Sequence, residues 1–161
     1  MLIIGIDPGP EKSGFCLYHH ETPRLIDVGY EKNRALLMKI KQSNADGLAC
    51  ENVKCYGMNV GQDIFDSLYW IGRFMQCWME NHHRACKRIF RGEVCAHFCN
   101  NPKATKPQIK RVLMDRFGEM PTKKKPVAFY GPRGDIRLVG DHMWDSLAIA
   151  VCYADTKGDK L

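Results

Sequence analysis

The sequence predicts one α/β domain in which helices flank a mixed β-sheet. Three short apolar segments, at residues 2–6, 14–19 and 24–30, are separated by turns that contain proline, which indicates three consecutive strands. Segments with helical spacing and further short apolar segments follow them along the chain. With 161 residues, 45% of them hydrophobic, the chain is long enough to bury a single core.

Composition favours a polyanionic partner and a cytoplasmic location. The 24 Lys and Arg residues exceed the 18 Asp and Glu residues, which gives a net charge of +6. Asp7 interrupts the apolar N-terminal segment, no basic segment precedes it, and no stretch is long enough to span a bilayer, so we expect neither a secretory signal nor a membrane partner. The eight cysteines are scattered rather than set in a loop framework, which indicates reduced thiols.

The first half of the chain is predicted to bring two acids to strand ends. Residues 2–6, 14–19 and 24–30 are expected to form a meander, residues 32–42 a helix and residues 47–50 a buried strand. Asp7 directly follows the first of these strands, and Glu51 directly follows the last. From residue 61 to about residue 81 we expect an amphipathic helix, and its core face is predicted to carry Ile64, Leu68, Ile71, Met75 and Trp78.

The second half is predicted to add a strand, two helices and an exposed insertion. Residues 87–90 suit a strand, and residues 105–117 suit a helix that opens with a capping box of Thr105 and Gln108. Its core face is predicted to carry Ile109, Val112, Leu113 and Phe117, and its outer face Lys106, Lys110 and Arg111. Residues 121–140, rich in Pro, Gly and Lys, indicate a hairpin-like insertion with extended pieces at 127–130 and 136–139, before a last helix at 141–155.

Acidic residues from three segments form a candidate metal site. Asp7 closes a buried strand in the motif IGIDPG, where an unpaired charge is costly, although an aspartate here also suits a turn cap. Glu51 repeats the arrangement, although a lone glutamate is also an ordinary solvated strand end. In the last helix, Asp145 shares a face with His142, three residues earlier, and with Asp141, four residues earlier.

The helix residues have alternatives of their own. Asp141 follows Gly140 and suits an N-cap, and His142 suits an exposed first turn, whereas Asp145 lies inside an apolar helix and needs a partner. Carboxylates grouped with an imidazole suit Mg²⁺ or, as a substitute, Mn²⁺. Two such ions roughly 3.5–4 Å apart promote phosphodiester hydrolysis by activating the attacking water and neutralising the leaving oxygen.

These residues resemble the RuvC family of Holliday junction resolvases, within the RNase H-like superfamily. The resemblance rests on IGIDPG with Gly14 after it, on Glu51 and on the closing stretch HMWDSLAIA, which together span nearly the whole chain. It implies an RNase H-like sheet flanked by helices, a homodimer, and Mg²⁺-dependent paired nicks across a four-way DNA junction, without a small-molecule cofactor. It also implies that the catalytic metal ligands are Asp7, Glu51, His142 and Asp145, with Asp141 as the second choice for the place of His142.

Other parts of the chain depart from the cellular members of that family. Tyr56, Gly57 and Asn59 resemble the loop that meets the junction centre, which makes Tyr56 either a wedge that stacks on an unpaired base or an ordinary loop tyrosine. The stretch from Lys123 to Lys125 and the segment after it look more like a phage or prophage version. IGIDPG alone is also similar to the phosphate loop of actin-like ATPases, but their two-domain cleft needs a longer chain.

Basic residues are concentrated in the C-terminal third, beside the candidate metal site. As a group they are expected to contact DNA phosphates, although any single one of them also suits a solvated surface. The candidates are Lys103, Lys106, Lys110, Arg111, Lys123, Lys124 and Lys125.

A zinc site is not expected from the cysteines and histidines. Cys95, His97 and Cys99, with His82, His83 and Cys86 upstream, match no zinc-binding pattern. Strand-like alternation explains Cys95 and Cys99 as packed residues.

The sequence leaves three functions open. The first is a dimeric resolvase of Holliday junctions, the second is a nuclease of the same fold that cuts other branched DNA or RNA–DNA hybrids, and the third is a protein that binds DNA junctions without cutting them. Cleavage of labelled junctions in Mg²⁺ separates the third from the others, and a panel of substrate shapes separates the first two.

Overall fold

A five-stranded mixed sheet organises the computed structural model, which describes residues 1–54, 57, 59–84, 86–117, 138 and 140–158. The strands are β1 (Leu2–Asp7), β2 (Lys12–His19), β3 (Arg24–Lys32), β4 (Gly47–Asn52) and β5 (Cys86–Phe90). They lie in the order β3-β2-β1-β4-β5, so that β1 and β4 occupy neighbouring central positions.

The direction of the strands determines which residues meet at the edge of the sheet. β2 pairs antiparallel with both β1 and β3, whereas β4 pairs parallel with both β1 and β5. Ile6 lies opposite Cys50 in the register, so the residues that follow them, Asp7 and Glu51, are neighbours. The carboxyl ends of β1, β4 and β5 therefore meet at one edge, where α/β sheets usually bind ligands.

Helices cover both faces of the sheet. The helices are α1 (Asn33–Gln42), α2 (Gln62–His82), α3 (Arg91–Cys99), α4 (Lys106–Phe117) and α5 (Asp141–Gly158). The core on one face includes Leu36 of α1 and Trp78 of α2, and the core on the other face includes Val94, Leu113 and Leu147 of α3, α4 and α5. Each face of the sheet is thus buried, as its near-continuous apolar strands require.

Two glycines allow α5 to lie directly on the sheet. A Cβ atom at Gly5 of β1 would come within 2.2 Å of the carbonyl oxygen of Ser146, and one at Gly14 of β2 within 2.3 Å of that of His142. Any larger residue would push α5 away, because the contacting atoms belong to the helix backbone. This close approach places the first turns of α5 beside the end of β1.

The observed elements confirm the predicted α/β fold, with differences in burial and one missed helix. The sequence does not predict α3, and the interpretation of Cys95 and Cys99 as strand residues is wrong, because both lie in that helix. On α2, Leu68 is 36% exposed, while Ser67 and Phe74 belong to the buried face. On α4, the buried residues are Ile109, Leu113 and Met114, whereas Val112 and Phe117 are half-buried. The predicted insertion at 121–140 lies almost entirely outside the described residues.

The structure bears on two predictions, which concern the state of the cysteines and the crossing of a membrane. The cysteines at positions 16, 50, 77, 86, 95, 99 and 152 are free thiols, as predicted for each of them, whereas Cys55 lies outside the described residues. None of the helices in the described part of the chain combines the length and the apolarity that crossing a membrane requires.

Candidate active site

Two acids from neighbouring strands form the centre of the site. Asp7 is the last residue of β1 and is only 8% exposed. Glu51 lies inside β4, which continues to Asn52, so the prediction that the strand ends before Glu51 is wrong by two residues. The side chain of Glu51 is nevertheless 17% exposed, and its carboxyl group interacts electrostatically with that of Asp7.

Helix α5 adds a histidine and a third acid. His142 Nδ1 lies 2.7 Å from Asp7 Oδ2, which joins the first turn of α5 to the end of β1. Asp145, one turn further, is 8% exposed and interacts electrostatically with both Asp7 and Glu51. Asp141 is the first residue of α5 and is exposed to solvent. The structure therefore brings Asp7, Glu51, His142 and Asp145 together, with His142 rather than Asp141 in contact with Asp7.

A buried polar network fixes the turn that follows Asp7. The Ser13 hydroxyl donates to Asn33 Oδ1 at 2.7 Å and accepts from the backbone N–H of Gly9 at 3.2 Å. Asn33 Nδ2 donates to the carbonyl oxygen of Gly9 at 2.9 Å. Since Ser13 and Asn33 are almost fully buried, their satisfied hydrogen bonds give the turn one defined conformation.

His142 is also held by an aromatic partner that sequence reasoning missed. The rings of Tyr30 and His142 are nearly parallel, with centroids 4.5 Å apart and an interplanar angle of 5°. Tyr30 lies on β3, where its side chain is exposed beside α5. Stacking on one side and the bond to Asp7 on the other restrict the orientation of the imidazole. No sequence signal links Tyr30 to His142, because the strand order alone brings β3 near α5.

Two cations contact the acids from α3 and α4. Lys106, the first residue of α4, donates a hydrogen bond to Asp145 Oδ2. Arg91, the first residue of α3, has its Nη1 3.8 Å from Glu51 Oε1 and 3.7 Å from Asp145 Oδ1. Lys106 is exposed on the outer side of α4, as predicted, with 48% of its side chain accessible, but the sequence does not predict its contact with Asp145. Arg91 was not predicted at all, although its place directly after β5, at the same sheet edge, was a usable signal.

Burial and mutual repulsion shift the ionisation of the acids. Burial, followed by the charge of Asp7, raises the pKa of Glu51 to about 8. Burial also raises the pKa of Asp7, against the opposing effect of the hydrogen bond from His142. For Lys106, burial alone lowers the pKa, but the hydrogen bond to Asp145 outweighs it and holds the pKa above its usual value. Glu51 therefore keeps its proton at neutral pH in the metal-free site.

The donor set fits a divalent cation by its chemistry. Three carboxylates supply the hard oxygen ligands that Mg²⁺ and Mn²⁺ prefer in proteins, and the imidazole nitrogen of His142 is a softer fourth ligand. Because a carboxyl group binds metal only in its ionised form, ion binding would release the proton that Glu51 holds. Within the described ranges, however, no set of three or more His, Cys, Asp and Glu side chains is arranged as a preformed metal site. His142 bonds to Asp7 and Lys106 bonds to Asp145, so ion binding requires these side chains to move.

The other residues predicted to contact DNA are distributed as follows. Lys103 and Arg111 are exposed, and Arg111 lies 3.9 Å from Asp115. Lys110 lies over the ring of Trp144, at 5.0 Å from its centroid. Four further candidates, Tyr56, Lys123, Lys124 and Lys125, lie outside the described residues.

A second polar cluster includes one of the histidines considered for zinc. His97 Nε2 lies 2.9 Å from Asp155 Oδ2, and Arg116 donates to both oxygens of the same carboxylate. Burial opposes ionisation of Asp155, but the bonds from Arg116 and His97 outweigh it and lower its pKa. Asp155 thus ties α3, α4 and α5 together, on the layer that carries the site.

The protein is similar to known proteins in its structure but not detectably in its sequence. No protein-family model and no curated protein sequence matches the chain. Among solved structures, Thermus thermophilus RuvC superposes with a TM-score of 0.74 at 16% identity, over 99% of this chain and 97% of that one. RuvC from the same organism in complex with a Holliday junction gives the same score and identity, over 99% of this chain and 96% of that one. A Fowlpox virus resolvase bound to Holliday junction DNA gives 0.56 at 15% identity, over 96% and 99% of the two chains. These likenesses confirm the predicted RNase H-like fold.

Proposed function

We propose that this protein is an endonuclease that cuts four-way DNA junctions by divalent-metal-dependent hydrolysis. The observation that carries the proposal is the meeting of Asp7, Glu51, Asp145 and His142 at one sheet edge. The same fold occurs in two solved structures of proteins in complex with Holliday junction DNA. A buried acidic cluster bordered by cations suits a phosphodiester, because it provides both metal ligands and phosphate contacts.

Each side chain has a proposed role in hydrolysis. Asp7, Glu51, Asp145 and His142 would hold two Mg²⁺ ions, with Mn²⁺ as a substitute. Such ions lower the pKa of the attacking water and offset the charge that develops on the departing 3′ oxygen. Water adds to phosphorus as the bond to that oxygen breaks, which leaves a 5′-phosphate and a 3′-hydroxyl. Lys106 and Arg91, released from the acids when ions bind, would then contact the scissile phosphate.

Two further features belong to the proposal. Paired nicks on a symmetric junction require two sites, so we infer a homodimer, and the long helix α2 carries exposed Phe65 and Tyr69 on its outer surface. The free thiols support a reducing, cytoplasmic location.

A substrate panel in Mg²⁺ tests the proposal. Labelled four-way junctions, three-way forks, flaps, linear duplexes and RNA–DNA hybrids are incubated with the purified protein. Paired nicks at symmetric positions of the four-way junction are expected, with slower cutting of the other shapes. Equal or faster cutting of hybrids or flaps would reassign the substrate, and intact junctions would show a binding protein instead.

The variant Asp7→Asn separates cleavage from binding. We expect the cleavage rate to fall at least about 1,000-fold, since the variant lacks one of the carboxylates proposed to hold the metal ions. Junction affinity should stay within a few-fold of that of the wild type, because phosphate contacts dominate it. Asp27→Asn, which removes a half-exposed acid on β3, serves as the matched control and should cut normally.

A further inference from the structure

A cleft of about 330 Å³ adjoins the acid cluster on the side of β5. Glu51 and Arg91 line it as well as the active site, and Lys54 and Phe90 also belong to its lining. Neither Lys54 nor Phe90 has a role in the hydrolysis proposed above. The volume lies at the lower end of the range of small-ligand pockets.

Phe90 exposes an aromatic surface at this cleft. It is the last residue of β5, and it is 36% exposed although its neighbour Ile89 is fully buried. Its backbone N–H donates to Glu93 Oε2 at 2.8 Å, which fixes the position of the main chain at the start of α3. The ring is therefore presented from a rigid point of the sheet edge, rather than from a long loop.

Two cationic residues lie near that ring. Lys54 Nζ lies 5.9 Å from the centroid of Phe90, and Arg91 follows Phe90 directly in the chain. Lys54 is exposed, and Arg91 is 36% exposed at its side chain. An aromatic surface flanked by cations is the arrangement that binds single nucleotides of a DNA strand, because bases stack on the ring while phosphates contact the cations.

From these contacts we propose that the cleft is a nucleotide subsite, which binds an unpaired nucleotide next to the scissile phosphate by stacking its base on Phe90 and its phosphate against Lys54. The proposal rests on the proposed nuclease function, because it takes the position of the cut from the acid cluster. An acidic peptide would contact Lys54 and Arg91 but would leave the aromatic face without a matching group. Because Glu51 and Arg91 line the cleft and also belong to the acid cluster, a strand that is cut at the cluster would pass beside the cleft.

Fluorescence of 2-aminopurine tests the stacking. The base analogue replaces, one at a time, each nucleotide that flanks the mapped cut in a four-way junction, and the Asp7→Asn background prevents cleavage. We expect one position at which fluorescence changes on binding, with the change lost in Phe90→Ala and Phe90→Leu but kept in Phe90→Trp. Phe90→Leu keeps an apolar side chain of similar size, so that loss of the ring is separated from loss of folding.

Cleavage rates give the second readout. On the otherwise native protein, Phe90→Ala and Phe90→Leu should lower kcat/KM about 5- to 100-fold, as expected when one stacked base is lost. Lys54→Gln should lower junction affinity and reduce its salt slope by about one. Met38→Ala, which removes a similarly exposed apolar side chain from α1, should change none of these values.

The outcomes distinguish this proposal from the function on which it rests. A junction that the wild type cuts normally, with fluorescence and kcat/KM unchanged in both Phe90→Ala and Phe90→Leu, overturns the subsite alone. A wild-type protein that neither binds nor cuts any junction overturns both proposals.

Discussion

Replacing Glu51 by glutamine should stabilise the metal-free protein at alkaline pH. Burial and the charge of Asp7 raise the pKa of Glu51 from 4.5 to about 8. Because its folded pKa lies above its unfolded value, this carboxyl contributes stability that is complete below about pH 4.5 and is lost as the pH rises through about 8. One pKa unit corresponds to about 1.4 kcal/mol, so the loss is at most about 5 kcal/mol. Relaxation of the site and entry of water should reduce it to about 2–4 kcal/mol.

Urea unfolding in EDTA measures this loss. The free energy of unfolding of the wild type should fall between pH 5 and pH 9, whereas Glu51→Gln should lose much less, since its amide cannot ionise. Glu80→Gln, at an exposed site on α2, should behave as the wild type. Mg²⁺ at pH 9 should restore stability to the wild type and not to Glu51→Gln. Equal falls in the wild type and in Glu51→Gln would refute the argument that buried, repelling acids form this site.

Three other substitutions test the parts that support the site. Gly5→Ala should destabilise the protein by about 1–3 kcal/mol or more in urea unfolding, because the Cβ atom of the alanine would lie 2.2 Å from the carbonyl oxygen of Ser146. A stability equal to that of the wild type would show that α5 does not need this close approach. Tyr30→Ala should slow junction cleavage about 2- to 10-fold, because it removes the ring stacked on His142, whereas Tyr30→Phe should cut at nearly the wild-type rate. Equal cleavage rates in the wild type and both variants would show that Tyr30 does not contribute to the site. Asp155→Asn should lower the free energy of unfolding by about 1.5–3 kcal/mol at pH 7. Because the pKa of Asp155 is lowered in the folded protein, this difference from the wild type should shrink as the pH falls below about 4. A difference that does not depend on pH would exclude the ion pair as its cause.

Most of the fold follows from local patterns in the sequence. Apolar segments bounded by Pro and Gly predict the strands, and helical spacing predicts α1, α2, α4 and α5. Helical spacing does not predict α3, because only Val94 and Cys95 are buried and no apolar stripe runs along the helix. Its position is determined by tertiary packing against α4 and α5, which no local signal records.

The candidate site is only partly predictable for the same reason. A carboxylate at a buried position needs a partner for its charge, and this requirement singles out Asp7, Glu51 and Asp145 in the sequence. Parallel pairing of β1 with β4 then brings Asp7 and Glu51 together. Tyr30 and Arg91 reach the site through strand order and helix placement, so their residue types alone do not indicate a role. Helical periodicity predicts the exposed side of α4 on which Lys106 lies, but it does not predict the contact with Asp145, which depends on how α4 packs against α5.

A crystal structure of the protein soaked in Mn²⁺ tests most directly whether the acids hold divalent cations. Anomalous density is expected between Asp7 and Glu51, and beside Asp145, with Lys106 moved off the carboxylate that it contacts in the metal-free protein. Crystals that show no manganese at these carboxylates, while the protein still cuts junctions, would place the catalytic centre elsewhere.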